Sequence, residues 1–277
     1  IDENNGKTFH YTADKDLTTN YLLCVTEDRS GEIWVGTELG GISKISLTNY
    51  PFDIFYPSPG GNADRDNAVR LIYEDEDGRY WFGTRDGNLH VCDSTLRQIY
   101  DLRIEGGLPF SIAEDTLGYK WLGTKGGGLV LLSPKGDAIV EKHTLDDWVW
   151  QSSSSNNIFT IMRDNKDRMW IATFGGGLHL GERHQGKLTF RQFVTENKHQ
   201  CMMRAMIQDR TGLIWVGTND GVIVFHPDEL IQDKNKYISL HLHKEDQQSL
   251  SHNEVKVVFE DSKGNIWLGT TGGGLNL

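Results

Sequence analysis

A β-propeller of six four-stranded antiparallel blades is the fold this sequence predicts, and three observations predict it. Tryptophan recurs within one repeated phrase at Trp34, Trp81, Trp121, Trp170, Trp215 and Trp267, at spacings of 47, 40, 49, 45 and 52 residues. Every copy keeps an Asp six residues before the Trp and a Thr three residues after it. Between glycine turns, apolar and polar residues alternate with the strand period, and no stretch repeats at the helical period. Repeats of roughly 45 residues with strand alternation are blade-like and exclude a helical solenoid.

The columns justify each blade strand by strand. An apolar-rich stretch such as NNIFTIMRD or NEVKVVFED is strand A, and it ends on the Asp column: Asp28, Asp75, Asp115, Asp164, Asp209 and Asp261. The Asp opens a hairpin turn in which its carboxylate accepts from backbone N–H groups two residues on. A residue in left-handed conformation closes the turn: Gly31, Gly78, Gly118, Gly212 or Gly264, with Asp167 in the fourth copy. Strand B follows as IWVGT or a variant, its Trp packing on a neighbouring sheet and its Gly (Ala172 in the fourth copy) admitting another backbone. A glycine-rich turn then leads to strand C, such as GLVLL or VIVF. Strand D is more variable: FDIFY, LRQIY, AIVEKH, LTFRQF and YISLHL.

The sixth copy carries strands A to C and reaches Leu277, whereas a D-like segment, Lys7 to Tyr11, stands near Ile1. Residues 1–277 therefore read as one propeller domain, closed by the N-terminal strand pairing onto the last blade. The alternative is a piece of a larger propeller cut at equivalent points. Closure removes the open sheet edges that invite aggregation.

Composition narrows the function classes. With 28 Lys and Arg against 39 Asp and Glu, the chain carries a net charge of −11, which argues against nucleic acid as a partner. The three cysteines, Cys24, Cys92 and Cys201, make neither a disulfide framework nor a zinc pattern and read as free thiols. No apolar run is long enough to cross a membrane, and no leader segment stands at Ile1. Nucleophile, zinc-protease and phosphate-loop motifs are missing, so no catalytic residue, metal ligand or cofactor is assigned. The histidines of HLH, His241 and His243, read as a surface pair.

The phrase D-x-x-G-x-I-W-x-G-T-x-G-G-L, present in six copies across nearly the whole chain, resembles the two-component regulator propeller repeat. That resemblance implies the extracytoplasmic sensor region of a bacterial hybrid two-component system, of the type controlling glycan-utilisation genes in Bacteroidetes. It implies a periplasmic, ligand-sensing module and an oligosaccharide ligand. Partners would be downstream sensor domains or a second copy of the chain. Such sensors commonly carry seven-bladed propellers and a kinase; six repeats stand here, and no kinase activity belongs to these residues. Two rival readings remain open, a protein-interaction or dimerisation scaffold and a propeller lyase or hydrolase.

Two columns break the repeat where loops should gather at one propeller face. Eleven residues before each Trp stand Leu23, Arg70, Phe110, Phe159, Arg204 and Lys256; four after it stand Glu38, Arg85, Lys125, Phe174, Asn219 and Thr271. Arginine forks suit a carboxylate or sulfate, and aromatic faces suit sugar rings. Arg70, Arg85, Lys125, Phe174, Arg204 and Lys256 are therefore candidate ligand-binding residues for an oligosaccharide, an acidic one included. The simpler alternative pairs Arg70, Arg204 and Lys256 with acids such as Glu74, Glu254 and Glu260. Trp148 and Trp150, in the insertion HTLDDWVWQSSSSNN, join the candidates as sugar platforms or interface anchors; packing on the blade is the equal alternative. Asn20, Asn67, Asn156 and Asn253, fourteen before the Trp, read as caps of strand A, with a sugar hydroxyl as the other partner they could bind.

Overall fold

The computed structural model describes residues 19, 21–28, 32–38, 40–45, 53–144, 156–184, 187–194, 202–243, 245–246 and 249–277. They form six antiparallel sheets, the blades of a β-propeller. Blade one is β1 (Leu22–Glu27), β2 (Ile33–Thr37), β3 (Ile42–Ile45) and β4 (Asp53–Phe55); blade two is β5 (Val69–Glu74), β6 (Tyr80–Thr84), β7 (Asn88–Cys92) and β8 (Gln98–Arg103). Blade three is β9 (Leu108–Glu114), β10 (Lys120–Lys125), β11 (Leu129–Leu132) and β12 (Ile139–His143); blade four is β13 (Ile158–Arg163), β14 (Met169–Thr173), β15 (Leu178–His184) and β16 (Lys187–Phe193). Blade five is β17 (Met203–Gln208), β18 (Ile214–Thr218), β19 (Gly221–Phe225) and β20 (Ile238–Leu240). Blade six, among the described residues, is β21 (Val255–Glu260), β22 (Ile266–Thr270) and β23 (Gly274–Asn276). Within each sheet the strands follow chain order. The expected closing strand, Lys7 to Tyr11, lies outside the described residues.

By backbone proximity the chain divides into two compact units, Ile1–Pro109 and Phe110–Leu277. In the first, β5 packs against β1 and β2. In the second, strands A follow one another: β13 packs on β10, β17 on β13 and β14, and β21 on β17 and β18.

One hydrogen bond recurs in all six blades and was not legible as a pattern of spacing alone. The indole Nε1 donates to the Oδ2 of the Asp six residues upstream, at 2.8 Å (Trp34–Asp28), 2.9 Å (Trp81–Asp75), 3.0 Å (Trp121–Asp115), 2.9 Å (Trp170–Asp164), 2.8 Å (Trp215–Asp209) and 2.9 Å (Trp267–Asp261). The other oxygen, Oδ1, accepts from the backbone of the turn, for example from Lys166 and Arg168 at Asp164 and from Thr211 and Leu213 at Asp209. One carboxylate thus shapes the A–B turn and satisfies a buried ring N–H, which would otherwise cost about 1–3 kcal/mol. The ring itself packs forward: Trp121 meets Phe190 of blade four at 6.5 Å, and Trp170 meets Phe225 of blade five at 5.5 Å.

The Thr column does more than suit a strand end. In the B–C turns the hydroxyl of Thr37, Thr124, Thr173 and Thr270 donates to the carbonyl of Gly41, Gly128, Gly177 and Gly274 at 2.8–2.9 Å. The strand-B glycines are tight: a Cβ at Gly123 would stand 2.4 Å from Ser111 Oγ and 2.6 Å from Ile158 Cγ2 of the next blade. Asp167 takes the left-handed conformation expected of it, at φ 63°.

The structure corrects three details. Strand β8 starts at Gln98, two residues later than the LRQIY reading, because Leu96 turns at φ 64°. Strand β20 is only Ile238–Leu240. A short helix, α1 (Pro227–Gln232), precedes it where no helix was expected. Pro227 opens that helix and Asp228 and Glu229 occupy its first turn, the signal HPDELIQ carried for it. Asp228 accepts from Lys166 at 2.5 Å and Arg168 at 2.6 Å, tying α1 to the A–B turn of blade four. Those bonds hold its carboxyl down at about 2.

His179, fully buried in β15, has no partner for Nδ1. Burial drives its pKa down to about 4, against a smaller upward effect of its bond with the Gly177 backbone. A depressed pKa means the unfolded chain binds the proton more tightly. The stability this site contributes is whole above the ordinary value of 6.5 and is lost as pH falls through about 4.

Two outcomes follow for folding. Asp164→Asn places an amide donor against the donors of Trp170 or the turn and should cost about 2–4 kcal/mol, read as a lower urea midpoint at unchanged slope. In wild type, stability should fall between pH 6.5 and about 4, and His179→Leu should flatten that limb of a melting-temperature profile.

Candidate functional site

The bulge is what builds the site. In five blades the A–B register slips by one residue at the same level, between Leu22 and Cys24, Val69 and Leu71, Ile158 and Thr160, Met203 and Ala205, and Val255 and Val257. The residue left unpaired is Leu23, Arg70, Phe159, Arg204 or Lys256, the column read eleven residues before the Trp. A bulged residue is released from the alternation of the strand and re-aimed, so in each of these five blades one variable side chain stands at the same step of the A–B hairpin.

The second column lies beside it. The backbone N–H of Glu38, Arg85, Phe174, Asn219 and Thr271 donates to the carbonyl of Tyr21, Ala68, Asn157, Met202 and Glu254, at the entrance of strand A in the same blade. In the second unit the B–C turns also reach the next blade: Gly126 and Gly128 donate to the Asn156 carbonyl and Gly221 to that of Asn253. Bridges join Lys125 with Asn157 and Phe174 with Met202. The expectation that these loops share a face therefore holds within this unit.

There, the two columns form a continuous arc. Phe110 and Phe159 stand 4.8 Å apart by ring centroid, and Phe159 meets Phe174 edge-on at 5.3 Å. The Arg204 guanidinium lies over Phe174 at 4.5 Å and near Phe159 at 5.8 Å. Its Nε donates to Asn219 Oδ1 at 3.1 Å, and its Nη2 is 3.6 Å from Glu254 Oε1. Lys256 Nζ is 3.6 Å from that same Glu254 oxygen. Two cations share one carboxylate at a distance beyond a good hydrogen bond, so both keep N–H groups to offer.

Arg204 and Lys256 thus have the acidic neighbour the simpler reading named, Glu254. Glu260 instead takes Arg210, at 2.6 Å. Lys125 is exposed at the end of β10. In the first unit, Arg70 is half-buried with Nη2 3.6 Å from Glu38 Oε1, not from Glu74, and Arg85 is exposed beside it in the turn after Thr84. Trp148 and Trp150 lie outside the described residues. Two of the asparagines hold backbone: Asn67 exchanges two hydrogen bonds with the Ser58 backbone, and Asn253 accepts from the Leu242 N–H at 2.7 Å. Phe110 and Phe159, Asn219 and Glu254 complete the arc but were absent from the candidates assigned by sequence. The first three stood in the right columns, and the packing between blades brings them together.

Other groups offer less chemistry. Burial pushes the Cys24 and Cys92 thiols up to about 11, which leaves them protonated at neutral pH. Among the described residues, no group of His, Cys, Asp and Glu is placed to hold a metal ion. A cavity of about 680 Å³ lies away from the arc, walled by Trp215, Leu240, His241, His243 and Leu268 and bordered by Asn276 of β23. The other five sheets carry a fourth strand beyond the equivalent of β23, so the apolar wall suits a packed strand better than a ligand.

Removing Phe174 or Arg204 should expose their coupling. The Phe174→Ala, Arg204→Ala and double variants should give an interaction of about 0.5–1 kcal/mol in a denaturation cycle, the range for partly exposed cation–π pairs.

The comparisons agree with this architecture. The family model described as Two component regulator propeller matches residues 16–38, 64–86, 152–175 and 249–272. The extracellular domain of a protein described as the hybrid two component system BT3049 from B. thetaiotaomicron superposes with a TM-score of 0.75 at 27% identity, over 98% of this chain and 35% of that one. The curated protein Histidine kinase P4 of Formosa agariphila is 26% identical over 218 residues, 75% of this chain and 15% of that protein. Virginiamycin B lyase from Staphylococcus aureus shares the fold alone, with a TM-score of 0.67 at 12% identity over 91% of this chain and 79% of the lyase. The chain spans about a third of the solved extracellular domain and about a seventh of the curated relative.

Proposed function

Four repeats of this chain match the two-component regulator propeller model, and from that premise we propose that it is the extracytoplasmic ligand-sensing propeller of a hybrid two-component sensor kinase. The observation that carries the reading is the likeness, over 98% of the chain, to the extracellular domain of a hybrid two-component system. No helix among the described residues is long and apolar enough to cross a membrane.

The ligand on this reading is an oligosaccharide released from a glycan, and the arc from Phe110 to Lys256 receives it. Three rings, a guanidinium, an amide and an ammonium in one row match what a sugar presents, with apolar ring faces against aromatics and hydroxyls against donors and acceptors. On this reading the module binds and does not react; among the described residues, the carboxylate of the arc, Glu254, lies 3.6 Å from both cations. Binding would regulate the genes for using that glycan, through downstream domains of the sensor or a second copy of the chain.

A scaffold is the second reading, and one observation favours it. Val257 and Phe259 on β21 are 56% and 57% exposed. Their equivalents in blade five, Ala205 and Ile207, pack against the cluster containing Val255 and Val258. A sheet face of this kind suits another protein surface.

A thermal-shift screen against neutral and acidic oligosaccharides separates the readings. A ligand at about 100 times its Kd should add about 2.7 kcal/mol to stability, raising the melting temperature, and Arg204→Ala with Lys256→Ala should abolish the rise. A melt unmoved by every sugar would favour the scaffold.

A further inference from the structure

Resting on the sensing reading, we infer that Glu254 is a resident stand-in for the ligand: the Arg204–Glu254–Lys256 cluster takes the carboxylate of a uronic acid sugar, and Glu254 sets how tightly.

The inference comes from how the cluster is balanced. Arg204 Nη2 and Lys256 Nζ both lie 3.6 Å from one oxygen, Glu254 Oε1. No hydrogen bond joins the three side chains, so the carboxylate neutralises part of the cationic charge without saturating its donors. The guanidinium is held from elsewhere: Phe174 supports its face and Asn219 Oδ1 takes its Nε–H. Arg204 therefore stays in place when Glu254 is not holding it, which is what a binding fork requires. Glu254 is fixed through its backbone, whose carbonyl accepts from the Thr271 N–H at 2.9 Å and whose N–H donates to His252 Nδ1 at 3.0 Å. Its side chain can swing away, being 26% exposed. In a chain of net charge −11, a site with two cations to one carboxylate is a local reversal of sign.

A ligand carboxylate would bridge Arg204 Nη and Lys256 Nζ with its ring set toward Phe159 and Phe174. It would have to displace Glu254 or share the cations with it, and in either case like-charge repulsion from Glu254 weakens binding. The residue so lowers affinity for the anion and keeps two clustered cations from repelling one another in the empty sensor. A neutral sugar gains nothing from that geometry.

The test is titration calorimetry of the protein with glucuronate, galacturonate, mannuronate and guluronate and with their methyl esters, at low and high salt. Binding of at least one uronate should exceed that of its ester and weaken with salt. Glu254→Gln should tighten it about tenfold, whereas Arg204→Gln and Lys256→Gln should each weaken it at least tenfold. Melting curves of the variants establish that each is folded; Glu254→Gln keeps its backbone bond and its shape. The proposal is overturned if Glu254→Gln leaves uronate binding unchanged or weakens it, if the esters bind equally well, or if no uronate binds wild type or Glu254→Gln. A neutral oligosaccharide that raises the melting temperature while all uronates fail would sink this inference and leave the sensing reading standing. Silence from both classes would sink the two together.

Discussion

The fold depends on one carboxylate doing two jobs. In every blade an Asp sits at the end of strand A with one oxygen turned to the backbone of the A–B hairpin and the other to the indole N–H of strand B. A blade has little depth, so its large apolar element must be a ring that reaches the next blade. Of the aromatic residues, Trp buries the most area and brings a donor that has to be satisfied in the dark. The Asp supplies the acceptor from the one place that also fixes the turn. Burial works against the Asp209 carboxylate, but its bonds from Thr211, Trp215 and Leu213 together outweigh that cost and hold its pKa below the ordinary value. Asp261 is likewise held below the ordinary value, chiefly by Trp267 and then Asn265. Losing the charge would loosen turn and ring at once.

With the Asp–Trp pair fixing the turn end of each A–B hairpin, irregularity collects at the other end. The bulge appears there at the same level in five blades. It leaves one residue per blade unpaired with strand B, so that residue can vary without disturbing the ladder. Conserved columns on one side and variable ones on the other are thus two consequences of a single hairpin. The scaffold tolerates Leu23, Arg70, Phe159, Arg204 and Lys256 at equivalent places because none of them holds the blade together.

Blade count, strand order and the roles of Asp and Gly were legible because each follows from period and turn chemistry. Four things were not. The Asp–Trp bond needs two residues brought together across a hairpin, and spacing shows only that both recur. The Thr hydroxyl, read as a strand former, ties the B–C turn to a glycine carbonyl, which becomes visible only when the turn's path is known. The aromatic arc was half legible: the columns named its positions, but the candidates kept Phe174 while leaving out Phe110, Phe159 and the partner Glu254. Columns report depth within a blade. Contact between blades depends on where the bulge aims each side chain. Helix α1 was missed for a plainer reason, since at six residues it is too short to show a period, and only its Pro-Asp-Glu opening marks it.

Rigidity then constrains how such a module can signal. In the second unit the A–B turns are clipped from blade to blade: the Asn165 N–H donates to Gln208 Oε1 at 2.7 Å, and Arg210 binds Glu260 and the carbonyl of Asp261 at 2.6 and 2.8 Å. The opposite edge is clipped by the bonds from Gly126, Gly128 and Gly221 to the following blade. Sheets fastened at both ends have no soft mode along which a ligand at the bulges could push one blade past another. Energy from binding can bias an equilibrium only where two states differ in their contact with the ligand. For a propeller of this build those states are orientations of the whole module against its neighbours, or arrangements of exposed side chains such as Glu254. The Glu254 side chain meets its neighbours in the arc through charge, not through a hydrogen bond, and it is therefore where an arriving anion would first be felt.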